Sequence, residues 1–74
     1  MACKIGMTTN PGERKRYWQG KYPNLQNWMI LARYDTKSVA QLAEYHLAAK
    51  YGGVVDGGGA GNENGEWVVY KFDY

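Results

Sequence analysis

The sequence predicts a small α+β domain: a mostly antiparallel three-stranded sheet carrying two helices, in the order β-α-β-α-β. Three observations predict it. Helix start signals stand at Asn10-Pro11 and around Thr36, each followed by apolar or aromatic residues at three- and four-residue spacing. Short apolar runs around Ile5, Met29 and Val68 are bounded by turn residues. The 74 residues hold one domain, 1–74, with no internal repeat.

Residues 2–8 read as the first strand, because Ile5 and Met7 alternate with Lys4 and Gly6. Gly6 allows another group to approach the backbone closely. Thr8 to Asn10 make the turn. A helix then runs over 11–19, with Asn10 as N-cap, Pro11 at the first helical position, Glu13 completing a capping box and Gly20 as the stop. Residues 21–27 read as a loop, in which Pro23 pushes Tyr22 toward an extended conformation.

Residues 28–34 form a short, largely apolar central strand. Asp35, Thr36 and Ser38 are candidate caps for a second helix that reaches about Lys50 and ends before Gly52-Gly53. Val39, Leu42, Ala43, His46 and Leu47 share one side of it, and Glu44 lies off that stripe, away from the main core. Val54 to Gly65 is glycine-rich and reads as a mobile loop. Its Gly57-Gly58-Gly59 run is a weak phosphate cradle, since no strand-to-helix context surrounds it. Glu66 to Tyr74 is the last strand, with Trp67 and Val69 on one side and Val68, Tyr70 and Phe72 on the other.

The net charge of +2 is small, but its distribution is not even. Arg14, Lys15, Arg16 and Lys21 are close neighbours with only Glu13 among them, a patch suited to an anionic partner. Arg14, Tyr17, Trp18 and Lys21 share a helical face. A cation beside two aromatics can hold a phosphate and stack a base. The competing reading is an ordinary solvated helix face; Tyr17 and Trp18 either pack the core or stack bases, and Trp28 reads as a core residue. No apolar run is long enough to span a membrane, and no signal-peptide hydrophobic region follows Lys4. The lone Cys3 excludes an internal disulfide framework and fits a reducing cytoplasm. A core this small makes oligomerisation a live option. His46, the only histidine, reads as a packing residue, or as a general base if it faces a site. No zinc-ligand spacing is present.

Lys4-Ile5-Gly6 with Thr8, followed at short range by Arg14, resembles the second half of the GIY-YIG nuclease signature. The likeness is to its phage-type branch, where the YIG strand begins with Lys. Ala43-Glu44 inside a helix and Gly65-Glu66-Trp67 before the final apolar run fit the same branch. The resemblance covers most of the chain. Three residues precede Lys4, so the strand carrying "GIY" and its tyrosine have no counterpart.

The resemblance implies a small DNA endonuclease from a phage or mobile element, using Mg²⁺ or Mn²⁺ in the cytoplasm of a bacterial host. Arg14 would grip the scissile phosphate, Glu44 would hold the metal, and Lys4 would stand in the place of the second tyrosine. Lys15, Arg16, Tyr17, Trp18 and Lys21 would contact DNA. Tyr70 is the only substitute for the missing tyrosine, and only if the last strand lies beside Lys4-Ile5-Gly6. One site per chain implies nicking, and a homodimer would be needed for double-strand cleavage. The rival reading is a non-catalytic module of the same fold that binds DNA, or a host or defence protein.

Overall fold

Two local signals start the helices. In the computed structural model, which describes residues 2–55 and 64–74, the Asn10 side chain accepts a hydrogen bond from the Glu13 N–H at 3.1 Å and donates to the Glu13 carboxylate at 3.2 Å. The Asn10 backbone N–H donates to Thr8 Oγ1. That reciprocal cap opens helix α1 (Pro11–Lys21) directly after strand β1 (Cys3–Thr8). Of the three candidate caps for the second helix, Thr36 is the one used: its hydroxyl accepts from the Val39 N–H and starts α2 (Lys37–Tyr51). Gly52 closes α2 at φ 68°, a left-handed conformation that glycine adopts without strain.

Strand β2 (Gln26–Thr36) lies between the helices, and β3 (Val54–Val55) and β4 (Asn64–Asp73) follow α2. The four strands form one mixed sheet in the order β2-β4-β1-β3. β4 is antiparallel to both β1 and β2, while β3 is parallel to β1. The α+β class and the two helices agree with expectation, but the sheet gains a fourth strand. Val54 and Val55, expected in the loop, pair beside Lys4 and Ile5. The rest of the expected glycine-rich loop, including Gly57-Gly58-Gly59, lies outside the described residues.

β1, β2 and β3 all run one way because a helix lies between each of them, and a helical crossover returns the chain in its starting direction. The first crossover moves from β1 to β2 and the second moves back across the sheet to β3. Crossovers of a common hand that move in opposite directions place their helices on opposite faces. The packing agrees. On one face, Ile5, Met7, Trp67 and Val69 pack with Ala40 and Ala48 of α2. On the other, Tyr70 and Phe72 pack with Trp18 of α1, and Tyr22, Leu25, Trp28, Ile30 and Tyr74 close around them. The alternation expected along the last strand is thus present, with both of its sides buried.

Three boundaries differ from expectation. α1 continues through Gly20 to Lys21, because Trp18 and Tyr22 stack at 5.7 Å and the Tyr22 N–H closes on the Trp18 carbonyl. β2 takes in the polar residues Gln26, Asn27, Asp35 and Thr36, since the long antiparallel partner β4 supplies their pairing. The larger correction concerns α2, which is turned about its axis relative to the expected stripe. Its buried residues are Ala40, Glu44 and Ala48, with Ala43 and Leu47 beside them, whereas Val39, Leu42 and His46 face outward.

Candidate functional site

β1 and β2 are parallel, and each runs directly into a helix. Both helices therefore begin at the same end of the sheet, one on each face. In α/β sheets such carboxyl ends of strands are where ligands settle. Two depressions open there. One, of about 240 Å³, is lined by Thr8, Thr9, Asn10, Glu13, Arg14 and Tyr17. The other, of about 510 Å³, is lined by Arg33, Tyr34, Asp35, Gly65 and Glu66. Gly65 lies close to Thr9, with an ideal Cβ position 3.8 Å from the Thr9 methyl, so the two depressions are neighbours.

From the first depression a ladder of cations and rings runs along α1. The Arg14 guanidinium lies over the Tyr17 ring at 5.2 Å. Tyr17 meets Trp18 edge-on at 4.9 Å. The ammonium groups of Lys4 and Lys21 lie over Trp18, at 4.6 and 5.5 Å. Lys4 also stands over Tyr22 and Tyr74, so three aromatic faces surround one ammonium. Such contacts hold a cation against the negative face of each ring. Glu13, the acid closest in sequence, is engaged with Asn10.

Two aromatic candidates separate cleanly. Trp18 is 3% exposed, and its indole N–H donates to the Tyr70 hydroxyl at 2.9 Å, so its ring belongs to the core and is closed to a base. Tyr17 is 52% exposed and available. Trp28 stacks on Tyr70 at 4.6 Å and packs in the aromatic cluster, as expected.

The strand condition placed on Tyr70 is met. β4 lies against β1, and Tyr70 is directly opposite Gly6. A Cβ on Gly6 would come within 2.3 Å of the Tyr70 hydroxyl, so the close approach that Gly6 permits is that of this ring. Tyr70 itself is fully buried.

The remaining candidates lie elsewhere. Glu44 was expected away from the core, but it is 0% exposed on the inner side of α2, on the face of the sheet opposite Lys4. The reason is the rotation of α2: Ala40 and Ala48, one turn to either side, are small enough to bring the helix close to the sheet, and Glu44 between them is carried inward. His46 is exposed on the outer side of α2, not on its apolar inner side. Glu44 lines neither depression. A hard cation such as Mg²⁺ keeps several waters and needs oxygen ligands around it. A carboxyl with no accessible surface does not fit that need, and no group of three or more His, Cys, Asp or Glu converges among the described residues.

Glu66 pairs with Arg33 at 3.2 Å on the exposed rim of the second depression. That depression went unread in the sequence, because the pairing of β2 with β4 that forms it is long-range. No helix among the described residues is long and apolar enough to cross a membrane. Comparison with protein-family models, curated proteins and solved structures finds no match.

Proposed function

We propose that this chain is a non-catalytic nucleic-acid-binding module that contacts the phosphate backbone through α1. The observation that carries this reading is the separation of charges. Arg14, Lys4 and Lys21 stand together on the Tyr17–Trp18 ladder, whereas Glu44 and His46 lie on α2, across the sheet. Grouped cations suffice to bind an anion. Hydrolysis needs a base or a metal beside them, within hydrogen-bond reach of the reacting atoms. Lys15 and Arg16 extend the cationic surface along the same helix.

One observation favours the hydrolytic alternative, a GIY-YIG-like nicking enzyme: β4 occupies the edge of β1 and brings a tyrosine to Gly6. The buried Tyr70 hydroxyl, already accepting from Trp18, supports a structural role for that tyrosine instead.

Fluorescence anisotropy on labelled DNA across a salt series tests the binding reading. With three to four phosphate contacts, log K should fall against log salt with a slope of about −3. Arg16→Ala and Lys21→Ala should each reduce that slope by about one. A parallel assay on supercoiled plasmid with Mg²⁺ or Mn²⁺ addresses the alternative. Intact plasmid alongside salt-sensitive binding supports the module. Nicking that disappears in Arg14→Ala, with the fold intact, would replace it with the enzyme. Absence of binding at low salt would remove both.

A further inference from the structure

The depression at the start of α1 has a charge balance that does not suit a phosphate. Among the residues lining it, Arg14 and Glu13 carry opposite charges, whereas Lys15, Arg16 and Lys21 of the same helix lie outside it. The Glu13 carboxylate takes the Asn10 amide on one oxygen, and its other oxygen accepts no hydrogen bond among the described residues. An acid in the wall repels a phosphate placed inside and accepts from a neutral N–H donor. The remaining features suit a flat ring. The Arg14 guanidinium and the Tyr17 ring lie against each other at 5.2 Å, and bases stack on both kinds of surface. Tyr17 is half exposed, unlike Trp18 beside it. The volume of about 240 Å³ is below the ~300–1,000 Å³ of clefts that hold drug-sized ligands, which suits one ring system and not a stacked pair. In the neighbouring depression Arg33 is already paired with Glu66, and Asp35 adds a second acid.

We propose that this depression takes one unstacked nucleobase, so that the chain prefers single-stranded nucleic acid to a duplex. The proposal rests on the nucleic-acid reading above and adds the form of the ligand. The base stacks on the Arg14–Tyr17 pair. The spare Glu13 oxygen accepts from an N–H on the base edge, and the Thr9 hydroxyl is a second polar group in the lining. The flanking phosphates are left to the cations outside the depression. A base inside a duplex is paired and stacked on both sides, and it must be flipped out before it can enter such a site. A single strand offers its bases without that cost.

Fluorescence anisotropy of the full chain tests the proposal, using short labelled strands of DNA and of RNA and the DNA duplex of the same sequence. At least one single strand should bind about tenfold more tightly than the duplex, and the tighter of the two identifies the source of the base. Tyr17→Ala should remove about that tenfold for the single strand while leaving the salt slope and the duplex affinity as in the parent. Tyr17→Leu, which keeps apolar bulk without a π-face, should lose as much, and Tyr17→Phe should bind like the parent. Circular dichroism should be unchanged in all three, because the half-exposed Tyr17 is not the anchor of α1. Equal affinity for strands and duplex overturns the base site and leaves the phosphate-contacting module standing. So does a Tyr17→Leu chain that binds single strands like the parent. A chain that binds none of the three at low salt removes the underlying nucleic-acid reading itself.

Discussion

The two faces of the sheet are covered by opposite means. On the α2 face, a fifteen-residue helix lies close to the strands because Ala40 and Ala48 are small, and many modest contacts share the packing. On the α1 face, one residue of the helix, Trp18, is buried, and it reaches into a cluster of large rings. The first arrangement is tolerant of losing a contact and intolerant of added volume. The second depends on one large anchor and is intolerant of losing it. The difference also sorts function: α1, held at one point, keeps its cations and Tyr17 at the surface, whereas α2 buries its only acid.

The largest effect should come from removing the single anchor. Trp18→Ala should destabilise the fold by about 3–5 kcal/mol, a large share of what so small a domain has. Urea denaturation followed by circular dichroism measures it. A loss below one kcal/mol would mean that α1 is held by contacts other than Trp18. Added volume on the other face should cost less. Ala40→Leu pushes α2 off the sheet and should cost about 1–3 kcal/mol in the same experiment. A neutral result would show that α2 is loosely seated and remove the contrast. The smallest effect belongs at the exposed rim, where Arg33 pairs with Glu66. Arg33→Ala should change stability by less than about 0.5 kcal/mol, because solvent screens exposed pairs. A larger loss would mark the second depression as a structural element.

The local parts of this architecture were legible in the sequence. Asn10-Pro11 with Glu13, Thr36 and Gly52 announce helix ends through bonds within a few residues. The alternation from Trp67 to Phe72 assigns each side chain its face. The parts that failed depend on distant partners. Val54-Val55 is a strand only because β1 lies next to it. The rotation of α2 was misread because Val39 and Leu42 are more hydrophobic than Ala40 and Ala48, yet small size decided which side approaches the sheet. Within the candidate site, Arg14, Tyr17 and Lys21 were placed together by helical spacing. The cage around Lys4 needed Tyr74, which follows β4, and the burial of Trp18 followed from Tyr70 and Phe72 on β4.

The position of β4 between β1 and β2 carries a consequence for synthesis. When everything up to Val55 has left the ribosome, both helices and three strands have been made, yet β1 and β2 cannot pair with each other. Only the two-residue ladder of β1 with β3 is available. Every other ladder waits for residues 64–73. α2 can already lie against Ile5 and Met7 of β1 at that stage, but the partners of β2 and the rings that enclose Trp18 come only with the strand that arrives last.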